Sequence, residues 1–119
     1  MQTDLLNRLF TAIDTTDTDR FLQCIATNAT FRFGSAEAVS GHEAIGAAVD
    51  GFFVSIAGVQ HRIKRTVANG SALVCEGEVT YTRLDDSRIT LPFANIFEIE
   101  NNLISDYRIY IDIAPLYAG

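Results

Sequence analysis

The sequence predicts an α+β domain in which helices come first and an antiparallel sheet follows. Two observations predict this order. Apolar residues recur at helical spacing in the first half of the chain, and from Val59 onward they alternate with polar residues, as is typical of strands. Because the alternating runs follow one another directly, we expect a meander of hairpins with the helices packed on one of its faces.

Three helical segments are expected in the first half of the chain. Helix one presents an apolar face at helical spacing, formed by Leu5, Leu6, Leu9, Phe10 and Ile13. Thr3 is its expected N-cap residue. Phe21, Leu22 and Ile25 predict a short second helix that ends near Asn28, so that the two helices form a hairpin.

A short strand, a third helix and the sheet complete the predicted order. Phe31 and Phe33 alternate with a polar residue in the short strand. Ser40 and Glu43 match a capping box at the start of helix three, and Gly58 is expected to end that helix. The strands of the meander are expected at 59–67, 73–84, 89–99 and 103–113. Since no linker or repeat interrupts the chain, residues 1–119 are expected to form one domain.

Composition and charge exclude several classes of protein. The 119 residues are 48% hydrophobic and include 15 acidic and 9 basic side chains, for a net charge of −6. A nucleic-acid partner requires concentrated positive charge, whereas the longest basic cluster here is Arg62, Lys64 and Arg65. The apolar runs are far shorter than the roughly 20 residues that span a bilayer. We therefore expect a soluble protein that binds neither nucleic acid nor a membrane.

Neither export nor a bound cofactor is indicated. The N-terminal residues lack the basic and apolar regions of a secretory signal, which favours a cytoplasmic location. Cys24 and Cys75 have neither the number nor the spacing of a disulfide framework or a zinc site, so both are expected to be reduced. The sequence has no phosphate-binding glycine loop, zinc-helix motif or nucleophile elbow. We expect no metal and no cofactor.

Several polar residues lie on the inward-facing side of predicted strands. Asn95 lies between two phenylalanines, and a buried amide needs partners, which are either neighbouring backbone groups or a ligand. His61 is either a satisfied core residue or an acid or base near neutral pH, whereas His42 is expected to be solvated. Tyr81 offers a hydroxyl group to a pocket, and Arg83 lies nearer the surface.

The last predicted strand has one polar and one apolar face. Asp106, Arg108, Tyr110 and Asp112 point to one side, and Tyr107, Ile109, Ile111 and Ile113 point to the other. The polar face either is solvated or lines a cavity beneath the helices, in which case the apolar face makes a dimer contact. A carboxylate held in such a cavity suits a general acid or base.

The order of elements and residues 107–116 resemble a known family. These residues, Tyr-Arg-Ile-Tyr-Ile-Asp-Ile-Ala-Pro-Leu, are similar to the Arg-x-Tyr-x-Asp-x-x-x-Leu ending of the SnoaL-like polyketide cyclase branch of the nuclear transport factor two-like superfamily. Gly41 before helix three and the Asn69-Gly70 hairpin also fit. The resemblance implies a cone-shaped, curved antiparallel sheet of the cystatin-like class, covered by the three helices.

The resemblance also implies site residues. The residues that carry two related activities are missing from this sequence. Asp112 takes the place of the family's acid or base, and His61 lies on a strand that often contributes a pocket histidine. The Arg-x-Asp pair of the related epoxide hydrolases is replaced by Gly77 and Val79. The helix-one tyrosine of the steroid isomerases is also missing.

The leading hypothesis is a small-molecule-binding protein that moves a proton on an apolar cyclic substrate, as a cofactor-independent cyclase, isomerase or hydrolase. Its expected catalytic residues are Asp112 and His61, and its expected substrate-binding residues are Tyr110, Arg108, Asn95 and Tyr81. The alternatives are a non-catalytic ligand-binding domain and a domain whose main role is dimerisation. A homodimer is expected through the apolar face of the last strand.

Overall fold

The structure is a computed structural model that describes residues 2–118, and for residues 2 and 3 the backbone alone. The N-cap predicted at Thr3 therefore lies outside the described residues. The helices are α1 (Gln2–Asp14), α2 (Thr18–Gln23), α3 (His42–Val54) and α4 (Ala114–Tyr117). The strands are β1 (Ile25–Phe33), β2 (Val39–Ser40), β3 (Gly58–Asn69), β4 (Ala72–Thr82), β5 (Arg88–Glu100) and β6 (Leu103–Tyr110).

All six strands belong to one sheet, in the order β2-β1-β6-β5-β4-β3. Strands β3 to β6 form the predicted antiparallel meander. Strand β1 runs parallel to β6, which pairs distant parts of the chain. Helix α1 contacts β3 and α3 contacts β1, so the N-terminal-half helices cover one face of the sheet. The predicted α+β class and element order are confirmed.

Three local predictions are wrong. Ile25 begins β1 rather than ending helix two, because this segment pairs with β6. The capping box is absent, since the N-cap of α3 is Gly41 at a φ of 86° and Ser40 belongs to β2. Gly58 begins β3 through its pairing with β4, and Ser55 is the C-cap of α3.

Strand β3 contains a bulge opposite Gly77 of its neighbour β4. The register shifts so that Ile63 pairs with Gly77 and Arg65 pairs with Glu76. A Cβ atom at Gly77 would lie 3.0 Å from Ile63 Cα and closer still to the Arg62 carbonyl oxygen. The two backbones approach so closely that position 77 requires glycine.

The core lies between α1, α2 and α3 and the inner face of the sheet. Side chains alternate along each strand, so every second residue of β4 and β5 points inward. The inward residues that are buried include Leu73, Cys75, Val79, Tyr81, Leu91, Phe93, Asn95 and Phe97. They pack against Leu5, Leu9, Phe21 and Ile45 of the helices, all of which are buried. This packing leaves a cavity over the centre of the sheet.

Candidate ligand cavity

The helices and the sheet surround a cavity of about 290 Å³. Its described lining is mostly apolar and includes six phenylalanines, Phe21, Phe31, Phe33, Phe52, Phe53 and Phe93. Among the described lining residues, the polar groups come from His61, Tyr81, Asn95, Tyr107 and Tyr117. A concave, aromatic site with a few polar groups is suited to a small cyclic molecule that is largely apolar.

His61 lies in the cavity wall and is held by Asp14 of α1. The Nδ1 atom of His61 lies 2.8 Å from Oδ1 of Asp14. The main-chain N–H of His61 also donates to both carboxylate oxygens, over 3.2 and 3.1 Å. Because an ionised carboxylate only accepts hydrogen bonds, Nδ1 carries the proton and the lone pair of the neutral ring is on Nε2.

The surroundings of His61 connect the cavity with the surface. The ring lies between Phe10 and Phe93, with centroid distances of 4.9 and 5.2 Å. A second cleft, of about 650 Å³, lies between α1 and β3 and is lined by Asp14. His61 lines both the cavity and this cleft. The side chain of Asp14 is 27% exposed, so the pair lies between the cavity and solvent.

Asn95 lies in the cavity lining on β5 and is 1% exposed. It pairs with Cys75 of β4 and with Ile109 of β6. Its side-chain oxygen accepts no hydrogen bond from the described residues. The predicted inward position of Asn95 is therefore observed, but its amide is not satisfied by neighbouring backbone, which was one of the two alternatives.

Tyr81 and Tyr107 bring hydroxyl groups to the cavity. Burial raises the pKa of both hydroxyls, so they remain protonated and can donate hydrogen bonds at neutral pH. The Tyr107 ring packs against Phe31 and Phe97, with centroid distances of 5.2 and 4.7 Å. The packing fixes the ring, and the two tyrosines are candidate donors to an oxygen atom of a ligand.

The buried Cys75 thiol gives the fold a specific dependence on alkaline pH. Burial raises its pKa from 9.0 to about 11, although hydrogen bonds from Asn95 act in the opposite direction. Between these two values the unfolded chain has lost the thiol proton and the folded chain keeps it, so stability decreases as the pH rises.

From about pH 8 to about pH 11 we expect wild type to lose on the order of 2 kcal/mol more unfolding free energy than Cys75→Ala. Urea unfolding of both proteins across this range measures the difference, and the contributions of all other groups cancel in the comparison. Parallel pH profiles for the two proteins would contradict the expectation.

The last strand has the opposite orientation from the predicted one. Tyr107, Ile109, Ile111 and Ile113 line the cavity. Tyr107 pairs with Phe97 and Ile109 pairs with Asn95, which are inward residues of β5. Strand residues in register share a face, so the apolar side of β6 must point inward as well. The dimer contact predicted through these four residues is therefore wrong.

The polar residues of β6 consequently lie on the outer face of the sheet. Tyr110 is 51% exposed. The Nε atom of Arg108 lies 3.3 Å from Oδ2 of Asp106, and this ion pair is partly exposed. The prediction that Tyr110 and Arg108 face the cavity is wrong. Polar and apolar side chains alternate along β6, and the helices cover the face that carries the apolar ones.

Asp112 lies outside the cavity. Strand β6 ends at Tyr110, and the chain then turns into α4. The Oδ1 atom of Asp112 accepts a hydrogen bond from the Ala114 main-chain N–H over 3.1 Å, and the side chain is exposed. The predicted cavity-facing position of Asp112 is wrong, since its carboxylate instead stabilises the turn before α4.

Helix α4 lies at the edge of the cavity and is held by Arg83. The Nε and Nη2 atoms of Arg83 donate to the carbonyl groups of Leu116 and Pro115, over 2.9 and 3.0 Å. Tyr117 lines the cavity, and its hydroxyl lies 2.8 Å from Oγ of Ser55 at the end of α3. Arg83 therefore fixes α4, and Tyr117 connects it to α3.

Sequence reasoning missed Asp14 and Tyr117. Asp14 follows Phe10 by four residues, so it lies on the same side of α1, and this spacing was the available signal. Its pairing with His61 joins residues far apart in the chain and had no local signal. Tyr117 belongs to a short helix that the sequence pattern did not predict.

The surroundings of Gly77 in the sheet exclude a larger side chain at this position. The resemblance matched Gly77 and Val79 to the Arg-x-Asp pair of the epoxide hydrolases, and of these two positions only Val79 lines the cavity. The β3 bulge leaves no space for any side chain at position 77. An arginine at this position would therefore require a different path of β3.

Residues 2–118 contain neither a metal-binding cluster nor a membrane-spanning helix. Within that range, no group of three or more His, Cys, Asp or Glu side chains is placed to hold a metal ion. The helices of the same range are too short or too polar to cross a membrane.

Comparisons with solved structures give the fold. An NTF2-like protein of unknown function from Burkholderia pseudomallei K96243 superposes with a TM-score of 0.87 at 16% identity, over 97% of this chain and 93% of that one. A protein from Jannaschia sp. CCS1 that carries the name SnoaL-like polyketide cyclase gives a TM-score of 0.83 at 16% identity, over 98% and 88%. TerC, crystallised with polyporic acid, gives 0.85 at 13% identity, over 98% and 95%.

The TM-scores show that these proteins share the architecture of this chain. Identities this low carry no information on chemistry. A comparison with curated protein sequences gave no significant match. The family model of the SnoaL-like domain matches residues 6–107, which is most of the chain. The chain therefore belongs to the SnoaL-like domain family, within the NTF2-like fold.

Proposed function

We propose that the cavity binds a small, largely apolar cyclic compound and that His61 moves a proton on it without a cofactor. One observation carries the proposal: the Nδ1 atom of His61 is held 2.8 Å from Asp14 in the wall of a mostly apolar cavity. An imidazole in a fixed position exchanges protons near neutral pH, and a positioned acid or base accelerates proton transfer about 10²- to 10⁴-fold.

The other polar groups of the cavity have supporting roles in this proposal. Asp14 positions the ring and stabilises the imidazolium that forms when Nε2 takes a proton. The hydroxyl groups of Tyr81 and Tyr107 donate hydrogen bonds to an oxygen that gains negative charge in the reaction. These roles describe the proton-transfer step of a cyclase, isomerase or hydrolase.

The comparisons support ligand binding in general terms. The SnoaL-like family and its fold neighbours include proteins with the name polyketide cyclase, and TerC was crystallised with a small ligand, polyporic acid. The aromatic lining of this cavity fits a cyclic ligand because flat rings pack well against phenylalanine side chains.

A specific observation favours a second candidate, a binding protein without catalysis. The carboxylate that the family resemblance assigned to acid or base chemistry, Asp112, lies outside the cavity. In that case His61 and Asn95 would act only as hydrogen-bonding partners of a stored or transported ligand.

Native mass spectrometry of the protein purified from its own cells tests the proposal. We expect a co-purified cyclic compound, which is then released by denaturation and identified. Incubation of this compound with fresh protein in deuterated water is expected to exchange a carbon-bound proton for deuterium. Binding without exchange would support the second candidate, and protein isolated without any ligand would contradict both.

A homodimer and a cytoplasmic location stay predictions. The outer face of the sheet would carry the dimer contact in place of the residues named from the sequence. Tyr110 is the large, half-exposed aromatic side chain on that face.

A further inference from the structure

Asn95 is a buried polar group that the described protein leaves without a full set of partners. The residue is 1% exposed, and its Oδ1 atom accepts no hydrogen bond from the described residues. An acceptor buried in this way costs free energy, and folded proteins keep such groups rarely. Its neighbours across the sheet, Cys75 and Ile109, offer no strong donor.

The oxygen is the atom of the Asn95 amide that has no partner among the described residues, and Asn95 belongs to the cavity lining. Burial raises the pKa of the neighbouring Cys75 thiol, and hydrogen bonding from Asn95 lowers it by less, so Asn95 acts toward this thiol as a donor. A donor group placed at this part of the cavity wall would supply the partner that the oxygen lacks.

We propose that Oδ1 of Asn95 is the acceptor for a hydroxyl group of a neutral cyclic ligand. The inference rests on the proposed function in one respect, since the ligand occupies the same cavity. It adds the chemical class of that ligand: a ring compound with a hydroxyl substituent at the end bound by Asn95.

The rest of the cavity limits the ligand to this class. None of the described lining residues is Asp, Glu, Lys or Arg, so a permanently charged ligand would lack a counterion. The six lining phenylalanines enclose an apolar ring. An uncharged donor group on an apolar ring meets both conditions. It also supplies the hydrogen bond that the Asn95 oxygen lacks.

Asn95 and His61 lie in well-separated parts of the cavity wall. His61 pairs with Val79, and Val79 pairs with Leu91. Leu91 and Asn95 lie four residues apart on β5, which corresponds to about 13 Å along the strand. His61 also lies two strands away from β5, which adds about 10 Å across the sheet, so a fused two-ring compound bound to Asn95 by its hydroxyl group extends from there toward His61.

A matched pair of probes tests the inference. 2-Naphthol and 2-methylnaphthalene have nearly the same shape, and only the former has a donor. Burial alone favours the methyl compound, because it is more apolar. We expect wild type to bind 2-naphthol at least about tenfold more tightly, as measured by NMR titration of main-chain amide signals, because a site with a buried acceptor discriminates against a ligand that lacks the donor.

The Asn95→Leu variant removes the acceptor and keeps the approximate shape. We expect its preference to reverse in favour of 2-methylnaphthalene and its Tm to rise, since an unsatisfied buried group has been replaced by an apolar one. As a control, Ile109→Val changes the shape of the neighbouring wall and is expected to keep the preference for 2-naphthol. The comparison of the two probes on wild type needs no variant to fold.

The outcomes separate this inference from the proposed function. Binding of both probes with equal affinity, or tighter binding of 2-methylnaphthalene to wild type, overturns the hydroxyl inference and leaves the cavity as a binding site. A lower Tm of Asn95→Leu together with an unchanged preference also overturns it, because Asn95 would then be structural. Failure of both probes to bind overturns the proposed function and the inference with it.

Discussion

Replacement of His61 by glutamine is expected to slow proton removal from 5-nitrobenzisoxazole about 100-fold or more. This compact two-ring compound reports on any base in an apolar cavity. The base removes the proton from its ring carbon, the N–O bond breaks, and the released phenolate is measured by its visible absorbance. The assay therefore tests the proposed acid-base role of His61 before the natural ligand is known.

The expected loss follows from the geometry of the site. Glutamine retains a polar side chain that can donate to Asp14, but it has no atom that takes up a proton near neutral pH. Asp14→Asn is expected to have a smaller effect, because the imidazole remains while the acceptor that fixes Nδ1 at 2.8 Å is weakened.

The second histidine provides a matched control. The Nε2 atom of His42 lies 2.7 Å from the Ile25 carbonyl oxygen, and His42 does not line the cavity. His42→Gln is therefore expected to retain the wild-type rate. Equal rates for wild type and His61→Gln would reject the proposed base. If Asp112→Asn instead abolished the reaction, the assignment made from the family resemblance would be correct and ours wrong.

Substitution of Gly77 by alanine is expected to lower the free energy of unfolding by about 3 to 5 kcal/mol, at or above the upper end of the usual cost of overpacking. The added methyl group would lie 3.0 Å from the Arg62 carbonyl carbon and from Ile63 Cα, and closer still to the Arg62 oxygen. These atoms belong to the backbone of β3, so no side-chain rotation relieves the overlap. Either the β3 bulge must move or its pairing with β4 must break.

Urea unfolding measures this loss, and Gly51→Ala is the matched control. Gly51 is an exposed residue of α3, four positions before the C-cap Ser55, and no atom lies within 4 Å of a Cβ placed there. The control is expected to gain about 0.5 to 1 kcal/mol, because alanine loses less conformational freedom than glycine in a helix. A Gly77→Ala protein within about 1 kcal/mol of wild type would show that the bulge shifts at low cost.

The sequence by itself determined the class of the fold and the order of its elements. Apolar spacing of 3.6 in the first half and of 2 in the second is a local property, and it predicted α1, α3 and the four-stranded meander. The same alternation predicted that Asn95, His61 and Tyr81 point inward, and the structure places all three in the cavity lining.

The face of β6 could not be decided in this way. Alternation shows that Ile109 and Tyr110 point to opposite sides, but it does not show which side the helices cover. The register with β5 decides it, because Ile109 is paired with the inward Asn95. The family resemblance favoured the polar face as the one that lines the cavity. The positions of Tyr110, Arg108 and Asp112 relative to the cavity were therefore predicted incorrectly.

The pairing of His61 with Asp14 was decided only by the tertiary structure. These residues lie 47 positions apart and meet because α1 packs across β3. The glycine at position 77 has a similar origin, since the close approach of the β3 backbone to β4 requires it. Periodicity specifies which side chains share a face of one element, whereas contacts between elements depend on how those faces are assembled, and the candidate site of this protein consists of such contacts.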